Sequence, residues 1–102
     1  MKDRYYHGSP DFIESTVLLD QGTCVTSSKA NALSFAQRRK KKDAPSYIYS
    51  VLLDPATDIE RRTDPAGVVD RVLVRATPFE ERILVTDALK VECKAEVDAL
   101  KP

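Results

Sequence analysis

The residues best suited to chemistry near the start of the chain form a short polar stretch, Tyr5-Tyr6-His7-Gly8-Ser9-Pro10. His7 is the only histidine, and it stands where an aromatic segment ends at a glycine turn. Because glycine has no Cβ, Gly8 would let a ligand come close to the backbone. The imidazole of His7 could present a donor or an acceptor to that ligand. The pattern is typical of a binding site, and the alternative is a plain turn or capping histidine.

Cysteine chemistry is a second possibility. Cys24 and Cys93 lie far apart, with no CxxC spacing and no further histidine. Four suitable zinc ligands cannot be assembled from this set, so we expect no metal. A nucleophilic pair of Cys24 and His7 would require their two segments to lie side by side. We expect both thiols to be reduced, as in an intracellular protein.

Length and charge limit the classes of protein that fit. The chain has 102 residues, and its 16 basic residues balance its 16 acidic ones. This length predicts a single domain, residues 1–102, with one modest core. Zero net charge argues against a dedicated nucleic-acid-binding protein. No apolar run approaches the roughly 18 residues of a membrane span, so we expect a cytoplasmic protein without a membrane partner. The sequence leaves the oligomeric state open.

One helix has clear boundaries in the sequence. Residues 26–28 are all good N-caps, and the stretch that follows contains no Gly or Pro until about Lys41. Ala32, Phe35 and Ala36 recur at helical spacing, so we expect them to form the buried face.

Short strands surround this helix. The predicted strands are residues 4–7, 23–26, 47–53, 68–74, 82–85 and 89–97. The run Tyr47–Leu53 is apolar enough to be the centre of a sheet. The segment 56–67 is polar and is expected to consist of turns. One helix among several strands predicts an α+β domain.

A run of five cations, Arg38-Arg39-Lys40-Lys41-Lys42, ends the predicted helix. Cations at this position interact favourably with the helix dipole, so a solvated helix end is the simple explanation. The alternative is a patch that binds phosphates or acidic partners.

Three segments, taken in order, carry a family resemblance. They are Tyr6-His7-Gly8-Ser9 at the end of a strand, Cys24-Val25-Thr26 leading into the helix, and Glu81-Arg82-Ile83-Leu84-Val85 opening a late strand. In order and spacing they resemble the ADP-ribosyltransferase family of diphtheria-type toxins, poly(ADP-ribose) polymerases and rifampin ADP-ribosyltransferases. The resemblance implies an α+β, ADP-ribosyltransferase-like fold with two small, mostly antiparallel sheets around a cleft and one main helix.

The resemblance also implies that NAD is bound, as a substrate, without the GxGxxG fingerprint that this sequence lacks. By analogy, His7 would hold an adenosine-ribose hydroxyl, and the Gly8 backbone would pair with the nicotinamide carboxamide. Glu81 would be catalytic, hydrogen-bonding the nicotinamide ribose, because a fixed anion stabilises the charge that develops there. The other residues that the resemblance places against NAD are Ser9, Cys24 and Thr26.

Two functions follow from the resemblance. The first is NAD-dependent transfer of ADP-ribose to a protein or small-molecule acceptor, with His7 and Glu81 in its favour. The alternative is a non-catalytic nucleotide- or protein-binding module of the same fold. Cys24 favours the module, because it stands where the family usually has a tyrosine that stacks on the nicotinamide. Glu80 is an alternative to Glu81 as the catalytic carboxylate.

These hypotheses predict specific positions in the folded chain. We expect His7, Gly8 and Glu81 to line one cleft, delivered by two adjacent central strands. We also expect a core in which the helix stripe packs on the strand centres. Its predicted members are Ala32, Phe35, Ile48, Val51, Leu53, Val72, Val74, Ile83 and Val85, with Leu33 at the edge.

Overall fold

A three-stranded sheet and a separate hairpin form the framework of the domain. A computed structural model of the protein describes residues 1–99. Its elements are β1 (Asp3–Ser9), α1 (Lys29–Arg39), β2 (Tyr47–Leu53), β3 (Ile59–Thr63), β4 (Val69–Leu73), β5 (Glu81–Leu84) and α2 (Asp87–Ala99). The larger sheet is antiparallel in the order β1-β2-β5, and β3 and β4 form the antiparallel hairpin. The predicted α+β class is confirmed.

β2 is the central strand of the larger sheet, as its apolar run predicts. It pairs with the whole of β1 on one side and with β5 on the other. Its side chains alternate between two buried clusters: Ile48 packs beneath α1, whereas Tyr49 and Val51 pack on the opposite face. A strand covered on both faces is nearly continuously apolar, which explains why this segment was recognisable in the sequence.

α1 begins one residue after its N-cap, Ser28, whose hydroxyl accepts a hydrogen bond from the Asn31 N–H at 3.2 Å. Ala32 and Ala36 are fully buried against the sheet. Phe35, predicted in the core, is 36% exposed, so that expectation is wrong. Small residues face the sheet because the helix lies close to the backbone of β1, which leaves no room for a phenyl ring there.

The prediction of a last strand over residues 89–97 is wrong. This segment belongs to α2, so residues 1–99 contain two helices rather than one. Its apolar residues alternate, but Leu89 and Cys93 also stand four positions apart, and these two are buried against α1. Val91 is 69% exposed. The Thr86 hydroxyl accepts a hydrogen bond from the Leu89 N–H at 3.1 Å and helps to begin the helix.

Two further predictions about strands need correction. The segment 56–67, expected to consist of turns, contains β3, which pairs with β4 along its full length. The side chain of Asp64 closes that hairpin by accepting hydrogen bonds from the N–H groups of Ala66 and Val68. Residues 23–26 form isolated bridges, Tyr6↔Thr26 and Cys24↔Val72, instead of a continuous strand. They link the larger sheet to the hairpin.

The core is divided between the two faces of the larger sheet. The larger cluster comprises Tyr5, Leu19, Val25, Tyr49, Val51, Leu53 and Leu73. The cluster beneath α1 comprises Ala32, Leu33, Ile48, Leu89 and Cys93. Of the predicted members, Val72 is fully buried, whereas Val74, Ile83 and Val85 are only half-buried. Neither helix within residues 1–99 has the length and apolar character needed to cross a bilayer.

Candidate functional site

A cavity of about 580 Å³ opens where β1, the linking segment 22–26, α1 and the β3-β4 hairpin meet. Four of the residues expected to bind NAD line it: His7, Gly8, Cys24 and Thr26. We call this space the His7 cavity.

The ring of His7 is held in one tautomer. Its Nδ1 lies 2.8 Å from the carbonyl oxygen of Cys24, and a carbonyl only accepts, so Nδ1 carries the proton. Burial lowers the pKa of His7 below its ordinary value of 6.5; the hydrogen bond to Cys24 opposes this shift and the charge of Arg39 adds to it. At neutral pH the ring is therefore uncharged, and Nε2 is an acceptor. The ring also stacks on Tyr49, with centroids 6.4 Å apart.

Gly8 has a different role from the one expected. A Cβ at this position would lie 2.8 Å from the carbonyl carbon of Ala32 and 2.9 Å from the nitrogen of Ala36. The missing side chain thus makes room for the backbone of α1, and the expectation that it makes room for a ligand is wrong. Ser9 is buried, and its hydroxyl accepts a hydrogen bond from the Asp11 N–H at 3.1 Å. Ser9 therefore stabilises the turn after β1, and it does not line the cavity.

Cys24 and Thr26 belong to the segment that joins the two sheets. The Cys24 side chain is exposed, but its partial desolvation raises the pKa of the thiol, and the negative charge of Asp70 raises it further. The thiol is therefore protonated at neutral pH, and His7 is bonded to the Cys24 carbonyl oxygen, so the two do not form an activated nucleophile. The Thr26 hydroxyl accepts a hydrogen bond from the Ser28 N–H, just before α1.

Glu81 is not brought to the His7 cavity. It is the first residue of β5, and β2 lies between β5 and β1, so the expectation of two adjacent strands is wrong. Glu81 pairs with Ser50, and Ser50 pairs with Tyr6. Because directly paired residues share a face of a sheet, Glu81 stands on the face opposite to His7. Glu80 is also outside the cavity lining, and its N–H donates to the Ser50 carbonyl at 2.7 Å.

The charged residues that line the cavity were not among the expected ligand contacts. They are Arg39 from α1, Arg61 from β3, and Asp70 and Arg71 from β4. Three guanidinium groups and one carboxylate make the cavity cationic and suited to an anionic ligand. The run of cations at the end of the helix indicated Arg39 as a possible ligand contact. The charged residues of the hairpin could not be predicted as contacts, because β3 itself was not predicted. Within residues 1–99, no group of His, Cys, Asp and Glu side chains is arranged to hold a metal ion.

These features define a small α+β domain with a cationic cavity between its two sheets. No protein-family model, curated protein or solved structure matches the chain.

Proposed function

We propose that the protein binds NAD in the His7 cavity, as a nucleotide-binding module of the ADP-ribosyltransferase type. The observation that carries the proposal is the hydrogen bond between Nδ1 of His7 and the Cys24 carbonyl. It leaves Nε2 as an acceptor in a neutral ring, and a ribose hydroxyl is a matching donor. The volume of about 580 Å³ falls in the range of about 300–1,000 Å³ that is usual for small-molecule sites.

The charge of the cavity supports the same ligand. NAD carries a diphosphate, and the guanidinium groups of Arg39, Arg61 and Arg71 are the side chains best suited to bind phosphate oxygens. A neutral His7 adds no positive charge to the cavity, so it accepts a hydrogen bond from the ribose rather than binding the phosphates. Sugar and phosphate recognition are therefore assigned to different residues of one cavity.

We prefer a binding module to a transferase because of the position of Glu81. Cleavage of the nicotinamide–ribose bond needs an anion beside the ribose, and losing one such preorganised group typically lowers kcat by about 10²–10³. Glu81 stands beyond β2, on the face of the sheet opposite to His7. Cys24, at the position of the family's stacking tyrosine, removes a second catalytic feature.

A transferase is the second candidate, and one observation favours it: Asp70, which lines the cavity and lies near enough to Cys24 to raise its pKa. If the protein is a transferase, Asp70 rather than Glu81 is the anion that faces the nicotinamide ribose.

Calorimetric titration with NAD, combined with chromatographic detection of free nicotinamide, tests both candidates. The His7→Phe variant keeps an aromatic ring and loses both nitrogens, so we expect its Kd for NAD to rise about three- to tenfold. Tyr47→Phe is the matched control: it removes a hydroxyl from an aromatic ring outside the cavity, and NAD binding should not change.

If the protein is a binding module, the wild type binds NAD and releases no nicotinamide. Release that falls about a hundredfold in Asp70→Asn would establish the transferase instead. Absence of saturable NAD binding by the folded wild type would contradict both.

A further inference from the structure

The β3-β4 hairpin carries two arginines where its inner face would be expected to be apolar. Its register pairs Ile59 with Leu73 and, two residues further along, Arg61 with Arg71. Residues two apart on a strand share a face. Leu73 belongs to the larger core cluster, and Ile59 packs against it. The arginine pair therefore continues the core-facing side of the hairpin to the point where it borders the His7 cavity.

Two like charges directly opposite each other in a sheet are destabilising. Within residues 1–99, neither Arg61 nor Arg71 forms an ion pair, and neither guanidinium donates a hydrogen bond. The neighbouring pair on the other face shows the opposite arrangement, with Arg62 set across from Asp70. The hairpin thus pairs opposite charges on the face that carries Arg62 and Asp70, and it leaves the positive charge of Arg61 and Arg71 unbalanced on its core-facing side. Both arginines of that unbalanced pair border the cavity, as does Asp70.

We infer that Arg61 and Arg71 together form a binding site for a diphosphate group, with Arg39 approaching from α1. Each guanidinium presents a planar fork of donors that matches two phosphate oxygens, and a bound dianion relieves the repulsion within the pair. The inference rests on the proposed function where it identifies the diphosphate as that of NAD. The same chemistry would also recognise free inorganic pyrophosphate.

The test is calorimetric titration of the full chain with NAD, with inorganic pyrophosphate, and with nicotinamide riboside, which has no phosphate. The wild type is compared with Arg61→Gln, Arg71→Gln and Arg71→Lys. Lys94→Gln is the control, because it removes one positive charge from α2, away from the cavity. We expect each Gln variant to bind NAD and pyrophosphate about tenfold to a hundredfold more weakly. Arg71→Lys should recover only part of the loss, because an ammonium lacks the fork, and Lys94→Gln should bind as the wild type does.

Thermal unfolding of the same variants shows whether they fold. Relief of the like-charge pair should raise the Tm of the ligand-free Arg71→Gln variant by about 1–5 °C. Pyrophosphate should raise the Tm of the wild type more than that of this variant, because only ligands that bind the folded state stabilise it.

The outcomes separate this inference from the proposed function. Pyrophosphate binding that depends on both arginines, without NAD binding, would support the diphosphate site and contradict the proposed function. NAD binding of wild-type strength in both Gln variants would support the function and overturn the diphosphate site. Absence of binding to both compounds by the wild type would overturn both.

Discussion

The two sides of the His7 cavity are built in opposite ways. On one side, the backbone of α1 lies directly on β1, with Ala32 and Ala36 fully buried over Gly8; we call this the helix wall. On the other side, the hairpin presents Arg61, Asp70 and Arg71, none of them buried; we call this the hairpin wall. The first is close-packed and brings one charged side chain, Arg39, to the cavity, whereas the second is open to water and brings three.

The difference indicates how stability and ligand chemistry are divided. Substitutions in the helix wall disturb packed backbone, so they should change the free energy of unfolding strongly. Substitutions in the hairpin wall remove solvated charges, so they should change ligand affinity while leaving stability almost unchanged or slightly improved. His7 stands between the two and should affect both.

The largest effect is expected at Gly8. In Gly8→Ala, the new Cβ meets backbone atoms of Ala32 and Ala36, which cannot rotate away, so α1 must move. We expect the free energy of unfolding, measured by urea denaturation, to fall by about 3 kcal/mol. A change near zero would show that α1 moves freely and that the helix wall is not close-packed.

Gly67→Ala is the matched control for this substitution. Gly67 has a positive φ of 85°, but no atom lies within 4 Å of its added Cβ. Its expected loss is the backbone strain alone, about 1–2 kcal/mol. A larger loss at Gly67 than at Gly8 would contradict the assignment of close packing to the helix wall.

An intermediate effect is expected from the protonation of His7. Burial lowers the folded-state pKa of His7, whereas the unfolded chain keeps a value of about 6.5. Below that pH the unfolded state binds more protons, so the free energy of unfolding decreases as pH falls from 7 towards 5.5, by at most about 1.4 kcal/mol per pH unit.

His7→Phe should lack this dependence over the same pH window, which lies above the usual pKa range of Asp and Glu side chains in proteins. Because His7 is the only histidine, its proton NMR titration gives the pKa directly. A measured pKa at or above 6.5 would contradict the described burial of the ring.

The smallest effect is expected at Glu81, which belongs to neither wall. Glu81 is exposed and does not line the cavity. Glu81→Gln should change the free energy of unfolding by no more than about 0.5 kcal/mol and leave the Kd for NAD unchanged. Loss of NAD binding or of nicotinamide release in this variant alone would restore Glu81 as the catalytic carboxylate and contradict its exclusion from the site.

The outcome for α2 shows why a correct local pattern can predict the wrong element. Leu89, Cys93 and Val97 satisfy a period of two and also a spacing of four, so the segment fits a strand or a helix equally well. The choice depends on what lies beside it. As a helix, the segment packs Leu89 and Cys93 against the apolar side of α1 and buries both.

The sequence by itself determined the features that depend on residues close together in the chain. Ser28 begins α1 through a hydrogen bond within its own turn, and β2 was recognisable because its run is apolar except at Ser50. The clustering of His7 with Cys24 and Thr26 also followed from the motifs.

Register and strand order, by contrast, were decided only by the tertiary structure. Pairing across β2 places Glu81 away from His7, and the pairing of β3 with β4 brings Arg61 and Arg71 to the cavity. The physical reason is that a strand's side chains alternate between faces, so a shift of one residue in pairing exchanges the groups that face the cavity for those that face away.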